Sequence, residues 1–305
     1  MKRVNVVVGE GTEYPLKGLL TLPEAVSGPV PAVVMVHGSG PSNMDERVMK
    51  LTPFKDLAEG LAAYGVASLR YDKRTFAHAR KMAKSSPTVR EETIDDALLA
   101  IGLLKRDGRI DPARVFLLGH SMGAMLAPRI DAEGGDVRGL ILLAGTPCRL
   151  EEVVLRQLKQ AGGSNFLLKW VMGLQYRAYS KKFAGLYEMS DEEARKKKFA
   201  GSLSLYYFKE MGQRTAADYL LESRKPALLM QGGRDFQVLA EEDFKAFQTL
   251  LAGRENTVFK LYPELNHLFV PALYDDVLKA SKEYSVERHI GDDVTSDIAA
   301  FIQAH

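Results

Sequence analysis

This 305-residue sequence has a single cysteine, no long apolar run and almost no net charge. Each of these features excludes a class of protein. The single cysteine, Cys148, rules out an intrachain disulfide and a cysteine-ligated metal cluster. Lys and Arg number 41 against 39 Asp and Glu, and a net charge of +2 does not favour nucleic acid as the main partner. No stretch approaches the roughly 18 apolar residues of a membrane span, so none is expected.

The N-terminal segment lacks the features of a secretion signal. The apolar run that follows Met1, Lys2 and Arg3 is too short for the h-region of a signal peptide. The sequence therefore predicts a cytoplasmic protein.

The sequence does contain the composition and rhythm of a large α/β domain. Hydrophobic residues make up 46% and charged residues 26%, which is ordinary for a globular chain. Two β-like runs, Val4–Val8 and Leu16–Leu22, flank a Gly-Glu-Gly turn and predict an N-terminal hairpin. Apolar runs then alternate with helical patterns, which predicts a mostly parallel sheet covered by helices on both faces. The further predicted strands are Ala32–Val36, Val66–Tyr71, Val115–Gly119, Gly139–Ala144, Ala227–Gln231 and Val258–Tyr262. The predicted helices are Phe54–Tyr64, Thr93–Arg106, Met122–Ile130, Glu241–Leu251 and Val294–Ile302.

One interval breaks this alternation. About 80 residues, between the strands predicted to end near Ala144 and to begin near Ala227, have helical patterns, and Ser190 with Glu193 fits a capping box. An insertion after the carboxyl end of a strand lies where open α/β sheets bind ligands. We therefore expect residues 147–225 to form a helical cap on a core of residues 1–146 and 226–305. The cap holds 11 of the 26 aromatic residues, and we expect one or two rings to face a pocket.

The pentapeptide Gly119-His120-Ser121-Met122-Gly123 matches the G-x-S-x-G pattern of a nucleophile elbow. The pattern alone is only moderately specific, but a buried strand pattern precedes it and a helical pattern follows, which is the setting that the elbow requires. The flanking glycines avoid collisions with neighbouring chain while the serine takes a strained conformation. Ser121 is the predicted nucleophile; the alternative is an ordinary serine in a βα turn.

A serine hydroxyl needs a base, and the base needs a carboxylate that orients it. His267 follows the last predicted strand, and Asp235 follows the strand before it, which is the chain order Ser, acid, His. The alternatives are a hydrogen-bonded loop histidine and a turn aspartate. Asp243 and Asp218 are rival acids, but both fall in helical patterns away from a strand end.

The developing oxyanion needs two preorganised donors. Met122 supplies one backbone N–H from the elbow. The loop His37-Gly38-Ser39-Gly40-Pro41 follows an early strand, and its glycines let the backbone approach a substrate, so Ser39 is the predicted second donor. A plain turn remains the alternative, since Gly-Ser-Gly-Pro is turn chemistry anywhere.

A charged motif, Arg70-Tyr71-Asp72-Lys73-Arg74, ends another predicted strand. Its position is compatible with the rim of a site at the strand ends. An ion-paired structural loop is the interpretation that we favour.

These motifs together resemble bacterial α/β-hydrolases, in particular the esterase and serine-aminopeptidase-like group that includes acyl-thioester hydrolases. The resemblance rests on the segments around His37, Arg70, Ser121, Asp235 and His267 and extends from about residue 14 to 302. It implies the α/β-hydrolase fold, a triad of Ser121, Asp235 and His267, an inserted helical lid and no cofactor. The sequence departs from many relatives at Ala124, where they have a third glycine.

The expected function is hydrolysis of small-molecule carboxylic esters through an acyl-enzyme. An aminopeptidase would need a carboxylate for the substrate amine, and Glu151 and Glu188 of the cap are candidates. Thioesterase or acyltransferase chemistry would use the same triad. A non-catalytic binding module is a further alternative, but such modules usually have a broken triad. The family is chemically broad, so it indicates mechanism better than substrate.

Overall fold

The computed structural model describes residues 1–24, 28–161, 166–201 and 203–305. Its strands are β1 (Lys2–Val8), β2 (Leu16–Leu22), β3 (Val30–Val36), β4 (Ala67–Tyr71), β5 (Ile110–His120), β6 (Leu140–Leu143), β7 (Lys198–Ala200), β8 (Leu203–Ser204), β9 (Ala227–Gly232) and β10 (Thr257–Tyr262). Eight of them form one sheet in the order β1-β2-β4-β3-β5-β6-β9-β10. The hairpin of β1 and β2 is antiparallel and joins β4 antiparallel, whereas all pairs from β4 to β10 are parallel. The predicted mostly parallel sheet with an N-terminal hairpin is confirmed.

Thirteen α-helices lie in the described residues and surround the sheet. They are α1 (Pro53–Ala63), α2 (Arg74–Ala77), α3 (Ala79–Ser85), α4 (Asp95–Arg106), α5 (Met122–Ile130), α6 (Leu150–Gln160), α7 (Phe166–Phe183), α8 (Asp191–Lys196), α9 (Leu205–Gly212), α10 (Ala216–Glu222), α11 (Lys245–Leu250), α12 (Ala280–Tyr284) and α13 (Asp292–Ala304). Wider π-helical turns precede α4 and α11 and follow α5, at Arg90–Ile94, Ala240–Phe244 and Asp131–Gly135, and a 3-10 turn at Val277–Lys279 precedes α12. Within the described ranges, none of the helices has the length and apolarity that crossing a bilayer requires.

The central strands are apolar along their length because helices cover both faces of the sheet. Every residue of β6 and β9 is buried, and β3 buries all but Pro31. Side chains of β3 alternate between two cores: Val33 and Met35 pack with α1 and α13, whereas Val34 and Val36 pack with α4 and α5. This layering holds the carboxyl ends of the parallel strands together at one edge.

Strand β5 begins earlier than its apolar pattern predicts. The pattern starts at Val115, but pairing with β3 begins at Ile110, and a register shift separates the two pairs Val30–Ile110 and Ala32–Val115. Pro112 has no backbone N–H and interrupts the ladder, so the strand bulges before it regains its register. Such a bulge has no signature in hydrophobic periodicity.

Residues 147–225 connect β6 to β9, and we call them the cap segment. Its helices are α6 to α10, and β7 pairs antiparallel with β8 in addition. Strands of three and two residues are too short to produce the alternation from which a strand is predicted. Ser190 caps α8 by accepting a hydrogen bond from the Glu193 amide (3.2 Å). The Glu193 carboxylate, predicted to reach back, pairs with Lys197 one turn ahead instead (2.6 Å).

Candidate active site

Ser121 occupies the sharp turn between β5 and α5. Its backbone angles, φ +54° and ψ −117°, lie in a region that side-chain-bearing residues rarely adopt. A Cβ on Gly119 would lie 2.2 Å from the Gly123 carbonyl oxygen, and a Cβ on Gly123 would lie 2.2 Å from the Val36 carbonyl oxygen. Both glycines are therefore required by backbone contacts on either side of the serine.

His267 and Asp235 meet at the carboxyl edge of the sheet. Asp235 follows β9, His267 follows β10, and His267 Nδ1 lies 2.7 Å from Asp235 Oδ2. Both side chains are buried. The other carboxylate oxygen, Oδ1, accepts hydrogen bonds from the amides of Gln237 (2.7 Å) and Val238 (3.0 Å), and the Gln231 side chain donates to Oδ2 (3.0 Å). The carboxylate is thus fixed in orientation and fixes the imidazole in turn.

The two rival aspartates have other partners. Asp243 pairs with Arg156 (2.6 Å) and accepts from the Thr146 hydroxyl (2.6 Å). Asp218 caps α10, where it accepts a hydrogen bond from the Thr215 amide (2.7 Å). Asp235 is the only aspartate within hydrogen-bond distance of His267 in the part of the chain that the structure describes.

The loop that follows β3 packs directly against the elbow. A Cβ on Gly38 would lie 3.2 Å from Ser121 Cβ. Ser39, Ser121 and Met122 line the same cavity. The Met122 N–H lies in the first turn of α5, where no helical acceptor exists, and within the described residues the Ser39 amide has no hydrogen-bond acceptor. The structure thus brings two unoccupied backbone donors to the side of Ser121.

A cavity of about 480 Å³ opens at Ser121 and extends under the cap segment. Its walls are mainly apolar and come from both the sheet domain and the cap segment. The main lining side chains are those of Met82, Met125, Leu150, Val153, Val154, Phe199, Leu203, Tyr207 and Phe208. Among the described residues, three aromatic rings of the cap segment border the cavity, whereas the sequence led us to expect one or two. A second opening is lined by Ser121 and His267 together.

Two buried ion pairs lie next to the serine; the sequence predicted ion pairing for the motif 70–74 but not the partners of these groups. Glu46 Oε2 lies 3.0 Å from His120 Nδ1, and Lys73 Nζ lies 2.7 Å from Glu92 Oε1. His120 also donates from Nε2 to the His267 carbonyl oxygen (2.9 Å). Burial works against a charged ring, yet the Glu46 carboxylate raises the pKa of His120 above its ordinary value.

The two ion pairs differ in how far the sequence indicates them. Lys73 stands in the charged motif 70–74, whose three basic side chains each pair with a carboxylate: Arg70 with Asp45, Lys73 with Glu92 and Arg74 with Asp96. Glu92 sits in the π-helical turn before α4, and neither it nor Glu46 belongs to a recognisable motif. No metal-binding cluster of His, Cys, Asp and Glu is found among the described residues.

Comparison with known proteins shows the family and the fold of this chain. The model of the alpha/beta hydrolase family matches residues 33–280. Esterase EstD of Thermotoga maritima is 36% identical over 288 residues, which are 94% of this chain and 65% of EstD. The chain therefore spans less than two thirds of that relative.

Solved structures share the fold at low identity. Est1E from Butyrivibrio proteoclasticus superposes with a TM-score of 0.59 and 16% identity over 99% of both chains. An esterase of Pyrococcus furiosus superposes with a TM-score of 0.60 and 17% identity, over 99% of this chain and 91% of that one. The predicted α/β-hydrolase fold is confirmed. With the family model covering most of its length and the sheet in the expected order, the chain belongs to the alpha/beta hydrolase family.

Proposed function

We propose that this protein hydrolyses carboxylic esters through an acyl-enzyme, with Ser121 as nucleophile, His267 as base and Asp235 as the carboxylate that orients the base. The observation that supports this most is the buried 2.7 Å contact between His267 and Asp235, in a site where His267 and the strained Ser121 border one opening. The 36% identity to a protein named an esterase supports the choice of ester over other acyl substrates.

In the first half of the reaction, Ser121 Oγ bonds to the ester carbonyl carbon while His267 Nε2 takes its proton. The carbonyl electron pair moves onto oxygen, and the Ser39 and Met122 amides stabilise that charge. Asp235 holds Nδ1 protonated and stabilises the imidazolium. Collapse of the tetrahedral species expels the alcohol, which takes the proton from His267.

In the second half, water replaces the alcohol. His267 removes a proton from the water as its oxygen bonds to the acyl carbon, and the same amides hold the second oxyanion. Ser121 then leaves with the proton from His267, the carboxylic acid departs, and the resting site is restored. The scheme uses no cofactor.

We propose further that residues 147–225 act as a lid on a core of residues 1–146 and 226–305, and that the lid selects the acyl or alcohol group. The mainly apolar cavity of about 480 Å³ lies between these parts and suits an apolar or aromatic group of modest size. Such a cavity favours esters with a small apolar or aromatic group over highly charged esters as substrates.

The cavity gives little support to an aminopeptidase. Glu151 accepts a hydrogen bond from the Tyr187 hydroxyl and does not line the cavity, and Glu188 is exposed. Glu92 is the one carboxylate among the described residues of the cavity wall, and Lys73 already neutralises it. A free substrate amine would find no unpaired carboxylate there.

A substrate panel tests the function. Chromogenic esters from acetyl to octanoyl, a benzoyl ester, aminoacyl anilides and an acyl-CoA are compared by kcat/KM. We expect esters to exceed anilides by at least about 100-fold. Because each buried methylene contributes roughly 0.8 kcal/mol, kcat/KM rises by up to about fourfold per added CH₂ until the cavity is full.

Two outcomes contradict the proposal. Faster cleavage of the anilides would favour a peptidase, and faster cleavage of the acyl-CoA a thioesterase. A series that is flat from acetyl to octanoyl, with no gain for the benzoyl ester, would remove the role proposed for the lid.

A further inference from the structure

The backbone of Gly38 is held from both sides by buried charged side chains. Lys73 Nζ donates a hydrogen bond to the Gly38 carbonyl oxygen (2.8 Å), and Glu46 Oε1 accepts one from the Gly38 amide (2.7 Å). Lys73 is 2% exposed and Glu46 4%. Two buried charged side chains thus contact the backbone of one glycine, whose Cα lies against Ser121.

The contact at the carbonyl determines where the next amide points. In a planar trans peptide the C=O of Gly38 and the N–H of Ser39 point in opposite directions. With the carbonyl turned to Lys73, the Ser39 N–H is directed to the other side of the peptide plane, and Ser39 lines the cavity that Ser121 borders. A cation on the carbonyl oxygen also polarises the peptide and makes its N–H a stronger donor.

The backbone of the loop would not by itself hold the Gly38–Ser39 peptide in this orientation. Gly38 and Gly40 flank Ser39, and Gly40 has a φ of +82°, so the backbone on both sides of the serine is conformationally permissive. The side-chain contacts on Gly38 replace the restraint that the sequence of the loop lacks.

Lys73 and Glu46 each have a partner of opposite charge in the interior. Glu92 pairs with Lys73 and also accepts from the Tyr207 hydroxyl (2.7 Å), while His120 faces Glu46. Apolar side chains of similar volume commonly stabilise a core as well as a buried ion pair does. Stability alone therefore does not explain why a lysine stands at position 73, whereas orientation of the peptide does.

We propose that Lys73 is a positioning residue for the oxyanion hole: its ammonium group fixes the Gly38–Ser39 peptide so that the Ser39 N–H faces the reacting carbonyl oxygen. Glu46 holds the amide side of Gly38, and Glu92 is the counter-ion of Lys73. This inference rests on the proposed function, since it assigns the Ser39 amide to the oxyanion.

The test compares Lys73→Met with the wild type on the best ester of the panel. Losing one oxyanion donor costs about 100-fold or more in kcat, and we expect a loss of about that size with KM changed by less than about threefold. Affinity for a trifluoromethyl ketone, which forms the tetrahedral adduct, should fall by the same factor as kcat/KM. A merely structural lysine would not link these two quantities.

Two further variants separate positioning from stability. Lys73→Met combined with Glu92→Gln removes the whole ion pair, so the thermal midpoint should recover while kcat/KM stays about 100-fold low. Lys209→Met is the matched control, because Lys209 is also buried, donates to a backbone carbonyl (Met189, 2.6 Å) and pairs with Asp191 (2.7 Å), but lies in the cap segment. It should lower the thermal midpoint and leave kcat within about threefold.

The inference is overturned if Lys73→Met loses no more kcat than Lys209→Met, if the double variant regains activity together with stability, or if affinity for the ketone is unchanged. Failure of the proposed function has a different appearance: ester turnover then survives Ser121→Ala. Failure of the positioning role leaves turnover that depends on Ser121 but not on Lys73.

Discussion

Ser121 shows how much of this site is decided by single backbone positions. Its φ of +54° carries a cost of order 1–3 kcal/mol that the surrounding structure must offset. The two nearby glycines permit this, because a methyl group at either one would meet a carbonyl oxygen at 2.2 Å. The strain exposes the hydroxyl at the start of α5, beside amides with no helical acceptor.

Asp235→Asn tests the carboxylate. An asparagine can still accept from the Gln237 and Val238 amides, but its NH₂ group would face His267 and favour the tautomer that cannot act as base. We expect kcat on esters to fall by about 10⁴ with the thermal midpoint little changed.

Asp243→Asn is the control for that substitution, since Asp243 is buried and paired with Arg156. It should cost stability and leave kcat within about threefold. If Asp235→Asn keeps more than about a tenth of the wild-type kcat, the orienting acid is another residue.

The sequence predicts site residues where a motif or a strand end fixes their positions. It gives no signal for residues whose roles depend on contacts between distant parts of the chain. Ser121 and Met122 belong to a five-residue pattern, and Asp235 and His267 follow from strand ends and chain order. The roles of Lys73 and Glu46 depend on their contacts with Gly38, which lies 35 and 8 residues away along the chain. Such pairings arise only when strands and loops come together in the sheet, so no local pattern contains them.

The cap segment is the element that distinguishes this site from a bare sheet edge. Its ring cluster is tight: Phe199 stacks on Phe183 with ring centroids 5.1 Å apart and meets Phe208 edge-on at 4.6 Å. Aromatic contacts of this kind contribute about 0.5–1.5 kcal/mol each beyond their burial. Phe183, Phe199 and Phe208 therefore contribute to the packing of the cap segment, and Phe199, Phe208 and Tyr207 border the cavity.

Leu203→Trp tests whether this element selects substrate. Leu203 lies on β8 and lines the cavity, so a larger side chain there should occupy space used by a long acyl group. We expect kcat/KM for an octanoyl ester to fall at least about tenfold while that for an acetyl ester stays within about threefold. The measurement is the ratio of the two specificity constants.

Leu221→Trp is the comparison variant, because Leu221 belongs to the same segment but is 57% exposed on α10. It should leave the ratio unchanged. An equal change of the ratio in both variants, or no change in Leu203→Trp, would mean that the wall of the cap does not control chain length.

Elements with strong periodicity could be predicted from the sequence, and short or irregular ones could not. The eight strands of the main sheet and α1, α4, α5 and α13 follow from apolar runs and helical spacing. The pair β7 and β8, the bulge at the start of β5 and the π-helical turn at Arg90–Ile94 depend on tertiary contacts. That π-helical turn carries Glu92, so the unpredicted element is also the one that holds the counter-ion of Lys73.

The order of the strands in the sheet brings the residues of the site together. Residues 39, 121, 235 and 267 follow β3, β5, β9 and β10, whose carboxyl ends meet at one edge because these strands run parallel. The two cores pack against both faces of the sheet, and the cap segment, inserted between β6 and β9, lines the cavity that Ser121 borders. The fold class followed from the alternation of strands and helices, whereas the shape of the cavity depends on the least periodic part of the chain.

Covalent labelling of the intact protein with a fluorophosphonate, followed by peptide mapping, tests directly whether Ser121 is an activated nucleophile. Attack by an activated serine forms a stable phosphonyl adduct, so the wild type should carry one label, on Ser121. Ser121→Ala should take up no label and lose ester turnover by at least about 10³-fold while keeping its thermal midpoint. A label on another residue, or ester turnover in Ser121→Ala equal to that of the wild type, would show that Ser121 is not the nucleophile.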